Sequence, residues 1–136
     1  MTEPGEDQVQ ITVHQAVGGD GFFVELVERF YAGVADDPLL RPMYPEEELT
    51  GAKRRLALFL IQFWGGEPVY SEERGHPRLR MRHFPFRIGP AERDAWFRHM
   101  MASLNSLVEE RDILPEAETA MRDYFQMAAE AMRNQD

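Results

Sequence analysis

The sequence predicts a single all-α domain that spans residues 1–136. Large apolar residues recur three and four positions apart in several segments, which is the spacing of one helix face. Prolines and glycines separate these segments, and no internal repeat, low-complexity tract or linker divides the chain. A chain of this length, with 43% hydrophobic residues, buries roughly two thirds of its unfolded surface and needs no disulfide to form a core.

The first half of the sequence predicts two long helices with a short helical segment between them. The first long helix covers Asp20 to Ala35, and residues 38–44 form one or two further helical turns before a proline. Glutamates at 46–48 suit the positive end of a helix dipole, and the second long helix behind them runs to Trp64 and a glycine pair. The two apolar stripes comprise Phe23, Leu26, Val27, Phe30, Tyr31 and Val34, and then Leu49, Ala52, Leu56, Phe59, Leu60 and Phe63.

The segment from Gly65 to Pro90 is too rich in glycine and proline for a long regular element. It is predicted to hold at most one short helix, around Arg78 to His83. Pro90 is suited to the first position of the third long helix, which ends before Pro115. The last helix is predicted over Glu116 to Arg133. A connector of this length inside a compact domain is usually functional.

Composition limits the kinds of chemistry that the chain can carry. A formal charge of -9 disfavours binding to nucleic acid and to anionic membranes. The absence of cysteine excludes thiolate-ligated haem, iron–sulfur clusters, cysteine zinc sites and thiol catalysis. The first residues, MTEPGED, contain no apolar run, so neither a signal peptide nor a membrane anchor is expected there, and the cytoplasm is the expected compartment.

The connector is strongly basic in an otherwise acidic protein. Its stretch GHPRLRMRHFPFRI holds two histidines, four arginines and two phenylalanines in fourteen residues. One interpretation is a solvated loop that is salt-bridged to neighbouring acidic helices. The other is a site in which one histidine ligates a metal and the arginines hold carboxylates, as a haem iron and its propionates require.

The four histidines differ in how well they suit a metal or catalytic role. Structural roles are predicted for His14 and His99, although His99 and Ser103 stand one turn apart and imitate half of a hydrolase triad. Glu73 and His76 match half of a di-iron motif, but such sites need two motifs on continuous helices. His83 is the favoured ligand because the apolar stretch Phe84-Pro85-Phe86, which follows it, is suited to flank a flat ring.

Tyr31, Tyr44 and Trp96 are predicted to supply hydrogen-bond donors. Each suits the apolar core, but a buried phenol or indole whose hydrogen is left unpaired costs roughly 1 to 3 kcal/mol. Three donors that converge on one pocket therefore need an acceptor there. Dioxygen on a haem iron, which takes on superoxide character, is such an acceptor.

From about Ile11 to Arg133 the chain resembles the group II, or O-type, truncated haemoglobins. The resemblance is densest in ERFYAGVADDPLLRPMYPEEELTGA, FLIQFWGGEPVYSEERGHPRLRMRHFPFRI and ERDAWFRHM. It implies a truncated globin fold, a two-over-two helical sandwich whose proximal helix is reduced to a short helix in a long loop. The glycine pairs at 18–19 and 65–66 stand where that family turns sharply, and residues 1–10 form an extension.

The resemblance also implies a set of site residues. His83 is the implied iron ligand of haem b, and Tyr31, Tyr44 and Trp96 fall at the three distal positions. Ala52 stands where many globins have a distal histidine, which leaves distal polarity to the other donors and opens a path from solvent. Phe84 is bulkier than the residue that some members carry there. The remaining implied haem or propionate contacts are Arg55, Leu56, Phe59, Tyr70, His76, Arg80, Met81 and Phe86.

These features predict a protein that binds dioxygen and other small diatomic ligands tightly and releases oxygen slowly. Peroxidase-like or nitric-oxide-consuming chemistry is an alternative that needs an electron donor such as a reductase. Two further alternatives are a haem-based gas sensor and a cofactor-free helical module whose basic connector is a docking patch. Relatives of this family often associate, so a homo-oligomer is a further expectation.

Overall fold

The computed structural model describes residues 11–136, and all of the regular structure in that range is helical. The four predicted long helices are confirmed, and the predicted extension at 1–10 lies outside the described residues. No helix within 11–136 is both long and apolar enough to cross a membrane. The elements are α1 (Val13–Ala16), α2 (Asp20–Ala35), a 3-10 turn (Arg41–Met43), α3 (Thr50–Phe63), α4 (Val69–Arg74), α5 (Leu79–His83), α6 (Pro90–Glu110) and α7 (Pro115–Ala131).

Two helix pairs form the sandwich. Helix α2 packs against both α3 and α6, and α6 packs against α7. The core lies between the pairs, where each fully buried large apolar side chain contributes roughly 1.5 to 3 kcal/mol. Its largest buried members are Phe22, Phe23, Leu26, Phe30, Leu60, Met100, Leu104, Leu107, Met121 and Phe125.

His99 joins the end of α2 to α6. Its Nε2 lies 2.7 Å from Oδ2 of Asp37, whose Oδ1 accepts a 2.8 Å hydrogen bond from the Leu39 N–H. A Cβ at Gly33 would lie 2.5 Å from the His99 ring, so glycine leaves the room that the imidazole needs. Ser103 donates to the backbone oxygen of His99 and not to its ring. His99 is therefore structural, as predicted, and no hydrolase pair forms.

The glycine pair after α3 allows a turn that a side chain would block. Gly65 has φ +109, and a Cβ there would lie 2.6 Å from Thr12. The approach is close because the His14 N–H donates to the Trp64 oxygen at 2.9 Å and so holds α1 against the end of α3. Thr12 caps α1, a helix that the sequence did not predict. The pair at 18–19 also has positive φ, which fits the predicted sharp turns.

The connector holds two short helices, so the prediction of at most one was wrong. The second, α5, lies where the sequence predicted it. The first, α4, forms because tertiary contacts override its weak local signal: Tyr70 is buried, and the Gln62 side chain accepts from the Ser71 N–H and donates to the Ser71 hydroxyl. These bonds fasten α4 to the end of α3.

Candidate functional site

A cavity of about 470 Å³ lies between α2, α3, the connector, α6 and α7. Its size is in the range of small-molecule and cofactor sites. Most of the residues that the sequence singled out line it together, although they come from five separate parts of the chain. These are Tyr31, Tyr44, Ala52, Arg55, Leu56, Phe59, Tyr70, His83, Phe86 and Trp96.

His83 lines the cavity from the last turn of α5. Its Nδ1 lies 2.7 Å from the backbone oxygen of Leu79, one turn earlier. A carbonyl only accepts hydrogen bonds, so Nδ1 carries the proton and Nε2 keeps its lone pair. The same arrangement orients metal-bound histidines in general. The ring is thus fixed in the tautomer that can coordinate a metal through Nε2.

The helical phase of α5 decides which neighbours share the cavity with His83. Leu79, Arg82 and His83 lie on the inner face, together with Phe86 in the following turn. Arg80 and Met81 fall on the opposite face, so they lie outside the cavity although the resemblance implied haem contacts for them. His76 is also exposed and outside, where its Nδ1 accepts from the Arg78 N–H at 3.1 Å. Phe84 likewise does not line the cavity, so Phe86 alone forms the expected apolar wall.

The three expected donors lie close together although they come from α2, the loop after the 3-10 turn, and α6. The rings of Tyr31 and Tyr44 meet edge to face with centroids 5.3 Å apart. Phe30 contacts both Tyr31, at 4.9 Å, and Trp96, at 5.5 Å, and so links the two sides of the cavity. Aromatic packing therefore sets the positions of all three donors.

Burial keeps the two phenols protonated. It raises the pKa of Tyr31, and the neighbouring Tyr44 raises that pKa further. Burial also raises the pKa of Tyr44, although a hydrogen bond from Tyr31 and the charge of Arg55 oppose part of the rise. Both phenols are therefore protonated, and a hydroxyl on this wall can donate to an acceptor in the cavity.

An ion pair borders the cavity beside Ala52. Arg55 Nη2 lies 3.1 Å from Glu46 Oε1, and both residues line the cavity. A hydrogen bond to the Glu46 backbone and the Arg55 guanidinium hold the pKa of Glu46 below its ordinary value. Ala52 itself is only 4% exposed. The ion pair borders the path from solvent that was expected beside its small side chain. The sequence did not identify Glu46 as a site residue.

The connector contributes arginines that no acidic group neutralises. Arg82 lines the cavity, donates to the backbone oxygens of Pro77 and Arg74, and lies over the Tyr70 ring at 5.9 Å. Arg74 also lines the cavity. Within residues 11–136 none of the five arginines between 74 and 87 forms an ion pair, which contradicts a salt-bridged connector in that range.

The donor set fits a porphyrin better than a bare metal ion. One imidazole, apolar walls and guanidinium groups suit a planar macrocycle with an axial ligand and two carboxylates. The part of the chain described here holds no group of three histidine, aspartate or glutamate residues that could bind a metal. Glu73 pairs instead with Arg54, so the di-iron half-motif is not a site.

Helix α7 contributes more of the cavity wall than the sequence indicated. Its apolar stripe was predicted, but that pattern is the same for a residue that packs on protein and for one that borders a cavity. The additional lining residues on α7 and the segment after it are Tyr124, Phe125, Ala128, Ala129 and Met132; elsewhere they include Leu40, Met43, Leu60, Ile88, Glu92 and Arg93.

The sequence is similar to known proteins along nearly its whole length. A profile of the bacterial-like globins matches residues 12–132. A group 2 truncated haemoglobin of Bacillus subtilis (strain 168) is 42% identical over 95 residues, which cover 70% of this chain and 71% of that protein.

Solved structures share the backbone arrangement. A thermostable haemoglobin from the actinobacterium Thermobifida fusca is 54% identical with a TM-score of 0.86, over 91% of this chain and 98% of that one. A truncated oxygen-avid haemoglobin from Bacillus subtilis is 34% identical with a TM-score of 0.81, over 91% of this chain and 100% of that one. The predicted fold class is confirmed by these similarities.

Proposed function

The chain belongs to the group II truncated haemoglobins of the bacterial-like globin family, and from this premise we propose that it is an oxygen-avid haem protein. The observation that supports the proposal most directly is the cavity that joins His83 to Tyr31, Tyr44 and Trp96. One of the similar structures is described as oxygen-avid, which agrees with the proposal. The expected compartment is the cytoplasm.

The cofactor is proposed to be haem b. Ferrous haem, when bound, would supply the iron that takes up dioxygen and the partial negative charge that the donors stabilise. No cysteine is available for covalent attachment of the porphyrin, so the protein holds it through His83 Nε2, apolar contact and charge. Arg55, Arg74 and Arg82 line the cavity and are the proposed partners of the two propionates.

The distal donors are proposed to hold the oxygen. The Tyr44 hydroxyl and the Trp96 indole N–H donate toward the ligand, and Tyr31 positions Tyr44 by packing edge to face against its ring. A hydrogen bond to a charged group contributes roughly 1.5 to 3 kcal/mol, and 1.4 kcal/mol is a factor of ten in an equilibrium constant. Two such bonds slow oxygen release by orders of magnitude, so the protein is poorly suited to bulk oxygen delivery.

Rapid-mixing kinetics of oxygen release tests this function. The double variant Tyr44→Phe, Trp96→Phe keeps the aromatic bulk and removes both donors. We expect its dissociation rate constant to rise by at least about a hundredfold over the wild type.

Trp64→Phe is the matched control, because Trp64 does not line the cavity and its buried Nε1 has no hydrogen-bond partner within residues 11–136. Its oxygen release should match that of the wild type. An unchanged rate in the double variant would contradict the proposed mechanism.

A redox activity is the second candidate. With haem bound, the same donors would also be able to polarise a peroxide or to hold oxygen for reaction with nitric oxide. The exposed connector arginines outside the cavity, Arg78, Arg80 and Arg87, favour this alternative, since turnover requires an electron donor and a place for it to bind. Mixing the oxygen-loaded protein with nitric oxide distinguishes the two roles, because a carrier without this activity shows no rapid consumption of both gases.

A further inference from the structure

We propose that the outer face of α5 is the docking site of a small acidic one-electron carrier protein that reduces the haem iron. This outer face comprises Arg80, Met81 and Phe84 on the helix and at its C-cap, together with the exposed Arg87 of the segment that follows. The inference rests on the proposed function, since it presupposes a haem held by His83.

Arg80, Met81 and Phe84 lie on one side of α5, at i, i+1 and i+4. Phe84 keeps helical backbone angles, and its N–H donates to the Met81 oxygen at 3.2 Å. Arg87 follows in the irregular segment between α5 and α6, where it is exposed and does not line the cavity. Leu79, Arg82 and His83 lie on the other side of the helix and, with Phe86 after it, line the cavity. The helix is therefore amphipathic, because one side borders the cavity and the other side faces solvent.

The outer face exposes apolar side chains that the cavity does not use. Phe84 is 78% exposed and Met81 is 66% exposed, the two highest values among the large hydrophobic residues described. Neither lines the cavity, so a porphyrin bound there would not cover them. Phenylalanine and methionine are enriched at protein interfaces, where they form the apolar centre of the contact.

Charge indicates the kind of partner. The segment 74–91 contains five arginines and no acidic residue, whereas the whole chain carries a formal charge of -9. Arg78, Arg80 and Arg87 are exposed and form no ion pair within residues 11–136. An apolar centre bordered by cations is complementary to an acidic partner, which it attracts over distance and orients.

Position relative to His83 favours an electron carrier over other acidic proteins. Arg80, Met81 and Phe84 lie on the opposite side of one short helix from the imidazole, and the diameter of a helix with its side chains is about 10–12 Å. The proposed step moves one electron from the reduced carrier to ferric haem iron, which leaves an oxidised carrier and ferrous iron. No bond forms or breaks, and no proton is required.

Two other occupants suit the outer face less well. A second copy of this chain could offer an acidic surface, but a basic-to-acidic contact is heterologous and extends into chains unless its rotation closes a ring. Anionic lipid attracts arginines, but helices that lie in membranes present a long apolar face, and α5 has only five residues. Electron-transfer contacts are typically small and weak, which matches a face of four side chains.

Binding of an acidic [2Fe–2S] ferredoxin to the ferric holoprotein tests the inference. Titration calorimetry at low and high salt is compared for the wild type, Arg87→Glu, Phe84→Ser and the control Arg111→Glu. Arg111 is also exposed but follows the far end of α6, and its reversal changes the net charge by the same amount as that of Arg87. Absorption spectra taken beforehand confirm that each protein holds haem.

We expect salt-sensitive binding that weakens by about tenfold or more in Arg87→Glu and Phe84→Ser. The control should change it less than about twofold, and the rate of haem reduction should follow the binding constants. Equal losses in Arg87→Glu and Arg111→Glu would show a net-charge effect and overturn the assignment. The assignment would also be overturned if the outer-face variants changed only self-association, or changed only binding to phosphatidylserine vesicles. A colourless protein contradicts the proposed function itself, whereas a coloured protein that does not bind the carrier contradicts only this inference.

Discussion

One hydrogen bond decides which nitrogen of His83 is available to a metal. The 2.7 Å contact between Nδ1 and the Leu79 oxygen places the proton on Nδ1 and leaves Nε2 for the cavity. The contact joins the first and the last of the five residues of α5. The short helix that the sequence predicted therefore supplies the carbonyl that orients the imidazole.

At the level of single residues, the sequence predicted His83 as the iron ligand because Phe84-Pro85-Phe86 follow it and arginines surround it. The structure places His83 in the cavity wall, and its role as the ligand stays a prediction. The haem contacts inferred for Arg80 and Met81 depended instead on the phase of a five-residue helix. Flanking glycines and prolines leave that phase undetermined. In the folded protein, Arg82 faces the cavity instead of Arg80 and Met81.

The raised pKa values of Tyr31 and Tyr44 predict that oxygen release is independent of pH from about 6 to 9. Their ordinary pKa is about 10, and burial raises it in the folded protein. The protonated phenols therefore contribute to the free energy of unfolding. This contribution is fully present below about pH 10 and is lost as the pH rises through the pKa values of the folded protein. Rapid-mixing measurements across that range should give one dissociation rate constant.

An alkaline titration of phenolate absorbance provides the complementary test. In the wild type, Tyr31 and Tyr44 should ionise only as the protein unfolds, so a Tyr31→Phe, Tyr44→Phe variant should lose two tyrosines from that late phase. Burial also raises the pKa of Tyr124, which should still ionise late in the variant. Oxygen release that accelerates with a midpoint below about pH 9 would contradict the assignment of these phenols as protonated donors.

At the scale of elements, the connector is held in place by the end of the chain. Asn134 Nδ2 donates to the Phe86 oxygen at 2.8 Å, and its Oδ1 accepts from the Ile88 N–H at 2.9 Å. Its own N–H donates to the Ile88 oxygen at 2.8 Å. The turn that follows His83 therefore depends on a residue 51 positions away for its geometry.

Replacing Asn134 with alanine should loosen the attachment of His83 to the rest of the fold. Loss of these bonds should lower the free energy of unfolding by about 1–3 kcal/mol, as measured by urea denaturation. It should also broaden the iron–histidine stretching band in the Raman spectrum of the ferrous protein, which a purely global loss of stability would not do.

Gln135→Ala is the matched control because it removes an adjacent, exposed amide. Its Raman band should match that of the wild type. If Asn134→Ala lowers stability but leaves the band unchanged, Asn134 supports the fold without positioning the iron ligand.

Element prediction failed where long-range contacts replaced a local signal. Helix α6 begins at Pro90, as expected, since proline suits the first position of a helix and Glu92 accepts from the Gly89 N–H. Helix α4 was missed because its six residues follow a proline, and its stability comes from burial of Tyr70 and bonds to Gln62. Such contacts join positions whose proximity cannot be inferred from periodicity.

At the scale of the whole molecule, charge and packing are distributed unevenly around one cavity. The α2–α3 and α6–α7 pairs form a conventional buried core, which the apolar stripes predicted well. The cavity lies where those pairs meet the connector, and the positive charge of an acidic protein concentrates there. Fold and cofactor site are therefore coupled, because several apolar residues that shape the core also border the cavity.

The central claim is that His83 holds the iron of a haem inside this cavity, and the absorption spectrum of His83→Gly loaded with haemin tests it most directly. The matched control is His76→Gly, a connector histidine outside the cavity. We predict that His83→Gly loses the wild-type band position, that free imidazole restores it, and that His76→Gly retains it. A wild-type spectrum in His83→Gly without added imidazole would contradict the account.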